Sequence, residues 1–261
     1  MSGKFKNFWI TSIILAYLSL NYLPGFGWWI SMVGTGLILL FGYFAWPKNY
    51  RERLGIPTNA RQYFFTFILL ILFLLGSYYL INLIRIQKNL GFKMGLIHNF
   101  AHIFFYTLNE ELVLGGILLV SLKIRYVKVK PLVISIGVAL IFSILHYIFY
   151  RWNFQGSTRG ILTNWALVSL LMVGIIRNNL ILKTGHVGYS WALHFSWMAV
   201  MLGCIFYFPG GTHKLSQTAR FNLFIGHKLT IVILSMVMIL TSAWIQMNGI
   251  KVPHKLRNVF Q

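Results

Sequence analysis

Eight long apolar runs, parted by short breaks, constrain this chain more than any other feature. They cover Phe8–Tyr22, Phe26–Trp46, Gln62–Ile84, Leu96–Leu122, Leu132–Tyr150, Gly160–Leu182, His186–Phe208 and Phe221–Met247. A helix of about 20 residues crosses a hydrocarbon core of about 30 Å. Inside lipid every backbone N–H and C=O needs an internal partner, which leaves only helices and closed barrels. A barrel would show short segments of alternating polarity, and the sequence lacks that pattern. The runs therefore predict an all-α, polytopic membrane helical bundle of about eight transmembrane helices. With no soluble stretch or tandem repeat, residues 1–261 read as a single integral membrane domain. The first run is short and carries Asn21.

The breaks hold ordinary turn punctuation: Pro24-Gly25, Pro47, Pro57, Pro131, Pro209-Gly210-Gly211 and Pro253. They also hold the Lys and Arg residues behind a net charge of +20. A nucleic-acid surface would gather that charge in a folded soluble patch. Here it is dispersed between spans, where loops and lipid headgroups take it. The expected partners on this ground are membrane lipids, with no nucleic acid. With the N-terminus inside, 15 of the 23 Lys and Arg fall on inner segments. That bias places both termini in the cytoplasm and the chain in a cell membrane, most simply a bacterial one. Trp28, Trp29, Trp46 and Trp152 lie near span ends, as interfacial anchors do. The N-terminus has a basic start but no small-residue cleavage site, so it reads as an uncleaved first span. Cys204 is the lone cysteine, which excludes an internal disulfide.

Only three residues are acidic, and two of them, Glu110 and Glu111, sit side by side near the middle of the fourth run. A carboxylate at that depth costs a few kcal/mol or more, so it is a functional candidate by default. Neighbours on an α-helix point about 100° apart. One can then face a reaction centre while the other holds the scaffold. His146, in the outer half of the fifth run, and His194, near the middle of the seventh, lie at compatible depths. Two carboxylates and two imidazoles support general acid–base hydrolysis of a polarised bond. They also support a divalent metal such as zinc. No HExxH is present, and the candidate ligands His98 and His102, at helical i, i+4 spacing, have no carboxylate in their own turn. This weakens the metal reading, with zinc as the candidate, and leaves both chemistries open.

The order of these residues resembles the CPBP family of intramembrane proteases, which includes type II CAAX prenyl endopeptidases and bacteriocin-processing or immunity proteins. Its first motif, EExxxR, often sits in NEExxFRG; this chain reads NEELVLGG, matching at Asn109, Glu110, Glu111 and Gly116. The second motif, FxxxH, is matched by Phe142 and His146, and the third, HxxxN, is half matched by His194. The resemblance runs from about Ala101 to Leu202. It implies a glutamic-type intramembrane endopeptidase with no metal or cofactor, zinc being the alternative, whose partner is a membrane-associated, prenylated or processed peptide or protein substrate. In that scheme Glu110 activates water with help from His146, Glu111 orients the site, and His194 donates to the oxyanion.

Two positions depart from the pattern. Gly115 replaces the motif arginine and Met198 the motif asparagine. Ser190 and Trp197, at i−4 and i+3 from His194, are candidate substitute donors. Arg151, Arg159 and Arg177 are placed outside the bundle centre. Gly115-Gly116 would admit a closely packed neighbour. The departures leave open a non-catalytic membrane protein of the same fold, an immunity or scaffold factor. A proton-coupled transporter is a more distant reading.

Overall fold

The computed structural model describes residues 9, 12, 13, 29–148, 150, 151, 160–209, 211 and 213–247. The first expected span, Phe8–Tyr22, lies largely outside the described residues, as do Trp28, Trp152 and Arg159.

The described chain is a bundle of helices. In order they are α1 (Trp29–Ala45), the short α2 (Tyr50–Arg53), α3 (Ala60–Gln87) and α4 (Ile97–Arg125). They continue with α5 (Pro131–Ile148), α6 (Asn164–Thr184), α7 (Gly188–Gly203), the short α8 (Gln217–Arg220) and α9 (Lys228–Met247). Among them α3, α4, α5, α6 and α9 are long and apolar enough to cross a membrane, and the protein is an integral membrane protein. Helix α1 is apolar but shorter, and α7 has only 16 residues.

Local chemistry sets the ends. Asn59 caps α3, its Oδ1 accepting from Gln62 N at 2.9 Å. Thr163 caps α6 through Ala166 N, and Pro131 opens α5, where a missing N–H costs nothing. Gly185, at φ 79°, closes α6 in the left-handed conformation that glycine adopts without strain.

The seventh apolar run does not stay helical. It leaves the helix at Gly203, and Cys204–Tyr207 forms β2, antiparallel to β1 (Gly91–Met94), with Gly91 opposite Tyr207 and Met94 opposite Cys204. Hydropathy alone does not separate a buried strand from a helix end. The eighth run is likewise broken, into a π turn at Phe221–Ile225 and then α9.

Helix α3 packs along α7, α5 along α6, and α4 lies between α1 and α7. Two apolar clusters result. One, at the end of the bundle near the sheet, includes Ile81, Phe142, Tyr150, Met198 and Phe206. The other includes Ile38, Leu54, Leu112, Val113, Ile181 and Val187. The two carboxylates lie on α4 where these clusters meet, at the midpoint of its 29 residues.

Candidate active site

Helix α4 changes its winding at the carboxylates. It is α-helical to Glu110 and π-helical from Glu111 to Leu119, before a last α turn. π segments are uncommon and recur at functional sites. The wider turn carries Gly115 and Gly116 into close contact. A Cβ on Gly116 would lie 2.2 Å from the Leu54 carbonyl oxygen, and one on Gly115 would lie 2.4 Å from Ile181 Cδ1. The glycines thus let the loop after α2 and helix α6 press against the backbone beside the acids.

Glu111 is wholly buried and fully engaged. Arg177 of α6 lies with Nε 2.5 Å from its Oε1, as a close ion pair without the alignment of a hydrogen bond. Ser190 Oγ donates to Oε2 at 2.5 Å, and His194 Nδ1 lies 3.0 Å from Oε1. Glu110 is 2 % exposed. Its Oε2 lies 3.4 Å from His194 Nε2 and has no hydrogen-bond partner among the described residues. The imidazole of His194 therefore stands between the acids, with one carboxylate at each ring nitrogen. The two glutamates meet at one ring, more closely than their divergence on an α-helix suggested, yet with unequal surroundings.

Phe142 joins the remaining groups. Its ring centroid lies 4.3 Å from that of His146 and 6.2 Å from that of His194, and the Arg177 guanidinium sits 4.3 Å over its face. His146 is buried and within electrostatic reach of Glu110, His194 and Arg177. Its Nδ1 lies 3.0 Å from the Phe142 carbonyl. A carbonyl only accepts, so Nδ1 carries the proton, and Nε2 of the neutral ring is an acceptor.

Arg177 overturns a sequence expectation. It was placed outside the bundle centre, and it is 2 % exposed at the heart of the site. Its position inside the sixth apolar run was the available signal, since a charged residue within a span faces the bundle interior and pairs there. Arg151, by contrast, is exposed. Ser190 contacts the cluster through a carboxylate. The Trp197 Nε1 is buried with no hydrogen-bond partner among the described residues, and Met198 is buried in apolar surroundings. Asn109 ties α4 to α1: Nδ2 donates to Ser31 O at 3.0 Å, and Thr35 donates to Oδ1 at 2.6 Å. His98 is exposed and His102 bonds Ser31, so neither meets the acids. Among the described residues no three His, Cys, Asp or Glu side chains are grouped to hold a metal.

The turn entering α7 is fixed by His186. Burial pushes its imidazole down to about 4, so the ring is neutral at neutral pH and its Nδ1 accepts from Gly188 N at 3.2 Å. Beside the cluster lies an apolar cavity of about 250 Å³, whose lining includes Leu108, Leu112, Trp191, Val187 and Tyr63. Leu108 and Leu112 flank the glutamates on α4, and Trp191 follows Ser190 on α7.

A polytopic helical membrane protein with a buried carboxylate–imidazole–guanidinium cluster is the class these features define. Residues 92–200 match the family described as Type II CAAX prenyl endopeptidase Rce1-like. That match covers less than half of the chain, and over this segment the sequence is similar to that family. Neither the curated proteins nor the solved structures give a match.

Proposed function

We propose that this protein is an intramembrane endopeptidase in which Glu110 activates the hydrolytic water. The observation carrying this reading is the Glu110 Oε2 oxygen, buried with no hydrogen-bond partner among the described residues and with the His194 ring 3.4 Å away. A buried acceptor left unsatisfied costs about 1–3 kcal/mol, and a water on that oxygen removes the cost. Such a water lies between an acceptor carboxylate and the imidazoles of His194 and His146. Glu110 takes its proton as the oxygen attacks the scissile carbonyl carbon, and that proton passes through the His194 ring, 3.4 Å from Glu110, to the amine that leaves as the carbon–nitrogen bond breaks. Arg177 and Ser190 hold Glu111 as the anion that orients His194. The guanidinium from α6 thereby supplies the cation that Gly115 cannot. Donors to the developing oxyanion are drawn from the imidazoles, with the buried Trp197 N–H as a further candidate.

In this reading no metal takes part, because protein donors already fill both oxygens of Glu111. The apolar cavity receives an apolar side chain or lipid-modified residue of a membrane-associated peptide, and the basic loops face lipid headgroups. Both termini are cytoplasmic.

The test is Glu110→Gln, assayed for cleavage of a membrane-associated peptide library at matched abundance. The amide preserves size but is a far weaker base, so cleavage is lost while insertion and unfolding temperature stay unchanged. Cleavage at the wild-type rate removes Glu110 as the base. A wild-type protein that cleaves nothing, yet keeps its cellular role in the Gln variant, is the non-catalytic member of the fold.

A further inference from the structure

We propose that Phe142 is a positioning residue whose aromatic face holds the Arg177 guanidinium against Glu111, and through Glu111 orients His194. It rests on hydrolysis at Glu110, because the rate it sets is the rate of that reaction. Arg177 is a planar cation with five N–H donors, and it is 2 % exposed. Its Nε lies against Glu111 Oε1 without the alignment of a hydrogen bond, and its side chain makes no hydrogen bond among the described residues. A charge contact of that kind sets a distance and leaves the plane of the guanidinium free. The ring supplies the missing constraint. The Arg177 Cζ sits 4.3 Å over the centroid of Phe142, which is itself buried. A weakly hydrated guanidinium stacks on an aromatic face, and the attraction grows when water is excluded.

The backbone brings the two groups together. Phe142 is on α5 and Arg177 on α6, which pack along each other. Gly174 precedes Arg177 by three residues, and Ala139 precedes Phe142 by three. A Cβ on Gly174 would lie 2.9 Å from Ala139 Cβ and 3.4 Å from Phe142 Cδ1. Small residues at both positions let the helices approach until the ring covers the cation. The consequence reaches the reaction through one oxygen. Glu111 Oε1 meets both Arg177 Nε and His194 Nδ1, the latter at 3.0 Å. A guanidinium free to turn lets that carboxylate turn, and the His194 ring beside Glu110 turns with it.

Stepwise fluorination of Phe142 reads the contact, because fluorine withdraws negative charge from the ring face and adds little volume. Mono-, di- and trifluorophenylalanine are placed at 142 in the full chain in detergent, in the native sequence and in the Arg177→Met, Glu111→Gln background. The expected result in the native sequence is a stepwise fall in unfolding midpoint. With it kcat falls by about tenfold over the series at unchanged KM. In the double-variant background the midpoint is flat across the series, since no cation faces the ring. Equal falls in both backgrounds assign the effect to ring packing on His146 and overturn the proposal. A flat series in the native sequence overturns it whether or not the double variant folds. A falling midpoint with constant kcat overturns the positioning role. A charge-dependent midpoint series in a wild-type protein that cleaves nothing refutes the hydrolase reading and leaves the hold of Phe142 on Arg177 standing.

Discussion

Arg177 shows how a single residue decides whether two carboxylates can be kept inside a bundle. Removing one partner of a buried ion pair costs about 3–5 kcal/mol, because the other charge stays desolvated and unpaired. Arg177→Met should therefore unfold at a markedly lower temperature in detergent. Arg177→Met combined with Glu111→Gln should recover most of that loss, because the stranded charge is gone. The coupling appears as strong non-additivity in a double-mutant cycle, and additive losses would show that the contact is energetically idle. Activity should stay low in the double variant, since His194 has lost its orienting anion. The carboxylates and the two motif histidines stood out in the sequence because polar groups are rare in these runs. Arg177 did not, because a charged residue near the end of an apolar run was assigned to the flanking loop. Which helix face it occupies depends on tertiary packing.

At the scale of elements, the π segment of α4 and the glycines within it place the site. The positions of the helices were legible from hydropathy, with α3, α5 and α6 starting and ending within a few residues of their runs. Neither the π winding nor strand β2 was legible. Both involve residues far apart in sequence: β2 pairs with β1, and the wide turn brings Gly116 against Leu54 and Gly115 against Ile181. The glycines differ sharply in what they tolerate. Gly116→Ala puts a methyl against the Leu54 carbonyl, so a backbone must move, and a cost of about 1–3 kcal/mol follows. Gly137 of α5 has nothing within 4 Å of its Cβ position. Gly137→Ala should be neutral or stabilising by up to about 1 kcal/mol, the difference in helix propensity. Unfolding midpoints of the pair check this, and equal effects would contradict the close packing at Gly116. Restoring the motif with Gly115→Arg should fail for the same reason, because Ile181 occupies the space and Arg177 already provides the cation.

For the whole molecule, the question is how the part beyond residue 200 is joined to the family segment. Helix α9 lies outside the matched residues and exposes much of its surface to lipid, so apolar burial alone holds it weakly. A polar clamp joins it instead. Asn179 of α6 accepts from Ser135 of α5 at 2.8 Å, and its Nδ2 lies 3.3 Å from Thr241 Oγ and 3.1 Å from Ser242 Oγ on α9. Asn178, beside it, donates to the Ser135 carbonyl at 2.8 Å. Lys183 adds a contact over the Trp244 ring at 5.2 Å. Interhelical hydrogen bonds in membranes average about 0.6 kcal/mol and reach about 1.7. Losing the two bonds from Asn179 to α9 should therefore cost about 1–3 kcal/mol. Asn179→Leu keeps a comparable volume and removes both, together with the bond that Asn179 accepts from Ser135. Proteolytic nicking between α8 and α9 should then release the C-terminal fragment in mild detergent, while the nicked wild type stays associated. Cleavage activity should persist in the intact variant, because the clamp touches neither Glu110 nor His194. Retained association after nicking would mean that packing, and not the clamp, holds α9. Loss of activity with α9 still bound would tie Asn179 to the alignment of its helix neighbour Arg177, four bonds of one ladder making α5, α6 and α9 a single support for the site.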